Sequence, residues 1–311
     1  KHCLYVCSPK RSKDYISRKS TREIYRIIKK LGCYSIHIGG GEPFLKPEEL
    51  VNVIGIAGEE GIRIDYIETN SSWFKNYEQA VKLLTSIKEA GCGTLLLSIS
   101  PFHNEFVPFK NVRGVISALR KTGMNIFPWV QDFVPDIKQF SSETTHSLDE
   151  YEKLLGKGYK SSIPGRYWVT FRGRALYTYR PYMKKMSLEV IINTPPCREL
   201  FDTTHFHMDL FGNYIPGLCP GLSISYHDLG RAICNEKYPY LCRLIQSGIQ
   251  GLFQYAVKAE GFIAGKDSYV SKCELCQDIR IFLVCTKKIK SQDLMPEGFY
   301  RELMSETISL K

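Results

Sequence analysis

The sequence predicts an α/β fold in which parallel strands alternate with helices, followed by a smaller cysteine-rich domain. Three observations carry this expectation. Between Ser20 and about Ala175, apolar runs of strand length alternate with helical stripes, the pattern of βαβ units and so of a parallel sheet or barrel. After about Met186 the alternation is lost, and seven of the 11 cysteines lie between Cys197 and Cys285. A chain of 311 residues, 43 % apolar and 24 % charged, can bury a large core with a second small domain beside it. The boundary is expected near Leu188, giving domains at 1–187 and 188–311.

Each element has a local reason. Ser20-Thr21-Arg22-Glu23 reads as a capping box, and Ile24, Ile27 and Ile28 form an apolar stripe up to Gly32. A strand follows over Cys33 to Ile38. Pro47 suits the first turn of a helix carrying Leu50, Val51, Ile54 and Ile56, and Ile62 to Ile67 is the next strand, ending at Glu68-Thr69-Asn70. Asn76 can cap a helix with Ala80, Leu83, Leu84 and Ile87 on one face, closed by Gly91. Thr94 to Ile99 is near-continuously apolar, as in a strand covered on both faces. Val112 to Leu119 reads as helix, Met124 to Val130 as strand, and Ser147-Leu148-Asp149-Glu150 as a second capping box. A last strand is expected from Tyr167 into Phe171-Arg172-Gly173-Arg174-Ala175.

Composition narrows the class of function. Lys and Arg exceed Asp and Glu by 42 − 32 = +10, but the excess is diffuse. Its densest run, Lys287-Lys288-Ile289-Lys290, is short and reads as solvated surface, so nucleic acid is not the favoured partner. No run reaches the ~18 apolar residues of a membrane span. Lys1-His2-Cys3 begins abruptly with neither Met nor an apolar leader, so the chain reads as cytoplasmic and truncated at its start. So many cysteines in such a chain favour metal or iron-sulfur ligation over a disulfide framework.

In a parallel fold the ligand site lies at the carboxyl ends of the strands. Four notable stretches fall there: Gly39-Gly40-Gly41-Glu42-Pro43, Thr69-Asn70, Ser98 to His103, and Arg172-Gly173-Arg174. Three adjacent glycines lose much backbone entropy on ordering, which suggests that something approaches that backbone closely. Pro43 ends the strand and fixes the turn.

These residues resemble the radical S-adenosylmethionine superfamily, whose glycine-glycine-glutamate-proline motif matches Gly40-Gly41-Glu42-Pro43. Lys1-His2-Cys3 looks like the end of its C-x-x-x-C-x-x-C motif, with His2 as the ring before the third cysteine. The alternative registration, Cys3-x-x-x-Cys7, needs a cysteine where Lys10 stands. Thr69-Asn70 is similar to the family's threonine-asparagine-glycine strand end, with Ser71 for glycine. Ser98-Ile99-Ser100 is similar to its serine-x-aspartate strand end, with Ser100 for aspartate. Gly173-Arg174-Ala175 looks like its sixth-strand exit beside the adenine.

The resemblance implies a partial (β/α)6 TIM-like barrel that cleaves S-adenosylmethionine at a 4Fe-4S cluster. The resulting 5'-deoxyadenosyl radical would take hydrogen from a peptide or small-molecule substrate, with flavodoxin or ferredoxin as reductant. Cys3 would ligate the cluster. His2, Gly40, Gly41, Glu42, Thr69, Asn70, Ser98, Ser100 and Arg174 would hold S-adenosylmethionine.

The tail adds a second expectation. Cys273-Glu274-Leu275-Cys276 is a C-x-x-C pair, a spacing that also serves zinc and redox sites. An Asp209-x-x-Gly212-Asn213 turn inside a hairpin would bring Cys197 and Cys219 to one end. This resembles the small α+β auxiliary-cluster domain, often called twitch, that follows the barrel in some of these enzymes. The resemblance implies one auxiliary 4Fe-4S cluster held by Cys197, Cys219, Cys273 and Cys276, leaving Cys234, Cys242 and Cys285 as core thiols. His103, His205, His207 and His227 are further ligand or base candidates. The competing reading is a basic zinc- or iron-sulfur-containing nucleic-acid-binding protein.

Overall fold

The computed structural model describes residues 2–129 and 131–309. Lys1, at the head of the Lys1-His2-Cys3 fragment, and Val130, the expected end of the fourth strand, lie outside the described residues, as do Leu310 and Lys311. The chain divides into two compact units, Tyr15–Trp168, and Lys1–Asp14 together with Val169–Lys311. The compositional boundary near Leu188 falls inside the second of these.

The unit Tyr15–Trp168 is a parallel α/β layer. Helix α1 (Arg18–Lys30) is capped by Ser17, whose hydroxyl accepts from the Ser20 N–H at 3.0 Å. The cap therefore lies three residues before the expected box, because Thr21 donates back to the Ser17 carbonyl and draws Ser20 into the first turn. Strand β1 (Ser35–Ile38) is shorter than expected because the Cys33 N–H is spent on the Ile28 carbonyl at the helix end. Then follow α2 (Pro47–Glu60), β2 (Arg63–Thr69), α3 (Tyr77–Ala90), β3 (Thr94–Ser98), α4 (Phe109–Thr122) and β4 (Asn125–Trp129). Pro47 stands in the first turn of α2, and Asn76 caps α3 by accepting from Gln79 at 2.9 Å. Helices α5 (Leu148–Leu155), with its Ser147–Glu150 capping box, and α6 (Tyr159–Arg166) complete the unit.

All four strands pair in parallel, in the order β1-β2-β3-β4. Ile64, Ile67, Leu95 and Leu97 are buried on the face toward α1–α4, which pack side by side. The opposite face carries His37, Tyr66, Glu68, Ser98 and Phe127; His37 stacks on Tyr66 at 4.9 Å, and Phe127 meets Tyr66 edge-on at 5.5 Å. The expected strand Tyr167–Ala175 does not form. Arg172 closes a tight turn onto the Thr170 carbonyl at 2.7 Å, and Gly173 follows at φ 56°. A Cβ at Gly173 would lie 2.1 Å from the Leu4 carbonyl oxygen, so the backbone turns there for the sake of that close approach. Among the described residues the parallel sheet therefore has four strands.

The other unit begins with α7 (Arg174–Tyr179) and β5 (Met186–Ser187). Strands β6 (His207–Met208), β7 (Asn213–Ile215) and β8 (Ile224–Ser225) form an antiparallel sheet. The expected hairpin turn is present. Asp209 accepts from the Phe211 and Asn213 N–H groups at 2.9 Å each, and Gly212 sits at φ 80°. Helix α8 (Pro239–Glu260) is interrupted at Gly248, while β9 (Ser268–Tyr269) pairs with β5, and α9 (Lys272–Ile281) and α10 (Glu297–Ser309) close the core. Buried Asp293 caps α8 by accepting from the Tyr240 and Leu241 N–H groups. Leu241, Leu244, Leu252, Leu275, Ile279 and Leu303 fill the interior, and Val6 of the N-terminal segment joins them.

Candidate functional site

At the carboxyl end of the parallel sheet, Gly39, Gly40 and Gly41 leave β1 exposed, and Glu42 turns inward and is buried. Gly40 sits at φ 138°, with open space where a Cβ would stand, so glycine is needed for the backbone angle. The Glu42 carboxylate accepts from the Phe44 N–H at 3.2 Å, the Asn70 N–H at 2.8 Å and the Thr69 hydroxyl at 2.9 Å. Thr69 in turn accepts from the Ser71 N–H and the Trp73 indole N–H. Trp73 stacks on Phe44 at 4.6 Å and walls the group off from water. Burial is the chief cause pushing the Glu42 carboxyl up to about 7, against the three hydrogen bonds that favour its charge. Glu42 is thus the latch that joins the exits of β1 and β2. The Thr69 hydroxyl also reaches the second carboxylate oxygen at 3.0 Å, so both oxygens of Glu42 are held within the turn.

Ser98 ends β3, and buried Ser100 opens a single helical turn, Pro101–Asn104. The Ser100 hydroxyl and His103 Nδ1 are 2.7 Å apart, and burial holds His103 down to about 4, so it is neutral at pH 7. Gly40, Gly41, Glu42, Thr69, Asn70, Ser98 and Ser100 therefore share one end of the sheet, and His103 joins them.

Arg174 has a different setting from the expected strand exit. Its N–H bonds the Cys3 carbonyl at 3.1 Å, and its guanidinium bonds the Cys7 carbonyl at 3.1 Å and both oxygens of Glu306 at 2.8 and 2.5 Å. With no sixth strand for it to leave, Arg174 ties the N-terminal segment to α10. His2 is half-buried, and the Cys7 N–H points at Cys3 Sγ at 3.4 Å. The hydrogen bond with the Cys7 side chain is the main cause lowering Cys3 to about 6, while the same contact raises Cys7. Spacing had separated these two thiols; the left-handed turn at Val6, φ 55°, brings them together.

The tail holds the clearest assembly. Cys197, Cys219, Cys273 and Cys276 all line one cavity, with Arg172, Lys272 and Arg280 around it. The cysteines come from three places: Cys197 precedes the turn Arg198–Phe201, Cys219 follows the turn Pro216–Leu218, and the pair lies in the opening turns of α9. No family model matches the chain, and no curated protein matches it.

The chemistry of this donor set fits a thiolate-bound metal centre. Metal-free, burial pushes Cys197 up to about 11 and Cys219 up to about 12. Arg280 is 3 % exposed and donates to the Pro220 carbonyl at 2.8 Å, the Tyr300 hydroxyl at 3.1 Å and the Cys276 carbonyl at 3.3 Å. Among the described residues no carboxylate pairs with it; the titratable groups that interact with it are Cys276, Tyr300 and Cys219. A buried cation without an anion is costly, so the cavity calls for a negatively charged occupant. Arg172 differs: it has Cys219 and Cys273 as neighbours and donates to the Gly217 and Leu218 carbonyls, but it also pairs with the Glu199 carboxylate at 3.9 Å, as does Lys272.

A single zinc ion would draw four sulfurs to about 3.8 Å from one another, from its ~2.3 Å bonds. Among the described residues, no three of these thiols lie within 4.8 Å of one another, so they do not stand at the spacing of a tetrahedral single-ion site. Sequence reading did not join Arg172, Lys272 and Arg280 to the cysteines, although Lys272 adjoins Cys273 and Arg280 stands one helical turn beyond Cys276; only Arg172 comes from a stretch distant in sequence. Of the remaining cysteines, Cys242 is buried as expected, whereas Cys234 is exposed because residues 230–237 form a surface loop. His207 pairs with the Tyr5 hydroxyl, and His227 packs on Tyr226.

Proposed function

We propose that this chain is a radical S-adenosylmethionine enzyme with a partial α/β barrel and one auxiliary 4Fe-4S cluster, acting on a peptide or small-molecule substrate. The observation that supports the reading is the cysteine cavity: the four thiols that the resemblance groups line one cavity beside a buried guanidinium that, among the described residues, pairs with no carboxylate. Cys197, Cys219, Cys273 and Cys276 would hold the auxiliary cluster, and Cys3 would be one ligand of the other. When bound, a 4Fe-4S cluster supplies the electron, taken from flavodoxin or ferredoxin, that splits S-adenosylmethionine into methionine and a 5'-deoxyadenosyl radical, which abstracts hydrogen from substrate.

The chain's own groups bind and orient. The bare backbone of Gly40 and Gly41 lets an ammonium group come close, and Glu42, fixed by Thr69, Phe44 and Asn70, would supply the carboxylate it approaches. Asn70, Ser98 and Ser100 present polar groups at the same end for ribose or substrate hydroxyls. Phe44 and Trp73 keep water from the carboxylate.

The test is anaerobic reconstitution of the natural full-length protein with iron and sulfide, followed by S-adenosylmethionine and dithionite. Iron and sulfide should be retained and 5'-deoxyadenosine released. A protein that takes up zinc alone, or that binds iron but releases no 5'-deoxyadenosine, would overturn the enzyme reading.

A further inference from the structure

Two features of the sequence are left over once the cysteine cavity is accounted for: the basic run at Lys287–Lys290 and the thiol of Cys285. They meet at a second cavity of about 400 Å³, a volume in the range of small-molecule sites. One wall is the end of α9, where the chain widens into a π turn over Phe282–Thr286. Such turns recur at functional sites because they displace side chains from the regular helical row. Lys288 then adopts φ 59°, a left-handed angle unusual for a residue with a side chain. The other wall is α10, through Glu297, Arg301 and Met304.

The chemistry of the lining is two-sided. Lys288, Lys290 and Arg301 supply three positive charges, and Glu297, already paired with Arg301, supplies one negative charge. The Cys285 thiol lines the same cavity as Lys288, Arg301 and Glu297 and interacts electrostatically with all three. The floor is apolar, from Val284, Ile289 and Met304. A free polyanion would leave that floor uncovered and meet the Glu297 carboxylate. A neutral apolar molecule would make no use of the Lys288 and Lys290 charges.

We propose that this cavity binds a small amphipathic carboxylate, with its head group on Lys288, Lys290 and Arg301 and its apolar body over Cys285 and Met304. The inference is independent of the iron-sulfur reading, since none of these residues lines the four-cysteine cavity.

Octanoate is the probe, and the readout is the rate at which iodoacetamide alkylates Cys285 in the full chain, followed by mass spectrometry of the peptide that contains it. Octanoate should slow Cys285 alkylation at least tenfold in a saturable manner and leave exposed Cys234 unaffected. Octanol and inorganic phosphate should protect at least tenfold less well. The double variant Lys288→Glu, Lys290→Glu changes only exposed side chains, so it should melt like the parent and lose the protection. Absent protection, equal protection in the charge-reversed variant, or equal protection by octanol or phosphate would each overturn the proposal.

Discussion

Replacing Arg280 by Met separates a structural arginine from a counter-ion. In the metal-free protein two effects oppose each other. The change strands the Pro220 and Cys276 carbonyls, at about 1–3 kcal/mol each, but removes a buried charge whose desolvation costs several kcal/mol. The net shift should stay within about 2 kcal/mol of zero. In the metal-loaded protein the balance changes. A four-thiolate centre carries about two negative charges, and each unit charge at about 5 Å and an effective dielectric of about 20 attracts the guanidinium by about 3 kcal/mol. Losing that attraction should cost the loaded form about 3–6 kcal/mol, a fall in Tm of about 10 °C at this size. Thermal unfolding under anaerobic conditions, with and without reconstituted iron and sulfide, measures both. Arg280→Lys keeps the charge and should recover at least half of the difference. An equal fall in both forms would refute the argument and leave Arg280 as a packing residue.

Three further outcomes follow. Cys219→Ala or Cys273→Ala should remove one centre's worth of iron and sulfide, whereas Cys242→Ala should leave metal content unchanged; elemental analysis decides. Glu42 and His103 should give opposite pH dependences that offset each other in the parent. The Glu42 carboxyl, raised from 4.5 to about 7, contributes stability that is full below pH 4.5 and lost as pH rises through 7, on the order of 3 kcal/mol. His103, lowered from 6.5 to about 4, contributes stability that is full above pH 6.5 and lost as pH falls through 4. Urea unfolding at pH 4.5 and 7.5 should therefore show Glu42→Gln more stable at the higher pH and His103→Gln more stable at the lower, and identical slopes would contradict the burial of both groups. Gly173→Ala places a Cβ against the Leu4 carbonyl at a left-handed backbone angle, so it should release the N-terminal segment. Limited proteolysis before Asp14 should accelerate severalfold, and an unchanged cleavage rate would count against the clamp.

The fold was legible wherever neighbouring residues decide the outcome. The Ser147 box, the Asn76 cap, Pro47 at the start of α2 and the Asp209–Asn213 turn are each set within five residues, and all stand where the sequence puts them. The first cap moved to Ser17 because two hydroxyls compete within one turn. The Tyr167–Ala175 stretch reads as a strand by composition, yet Gly173 turns to meet Leu4, a partner 169 positions away that no local pattern reports.

The sequence by itself determined the alternation of parallel strands and helices and the glycine turn ending in Glu42, because periodicity and spacing are local properties of the chain; the grouping of Cys197, Cys219, Cys273 and Cys276 rests on the family resemblance. Only the tertiary structure decided what surrounds them. It ties the Glu42 carboxylate to Phe44, Thr69 and Asn70, commits Arg174 to Glu306, and sets Arg280, which among the described residues pairs with no carboxylate, beside the cysteine cavity. Burial and charge compensation are sums over elements distant in sequence, so they exist only once the chain has folded.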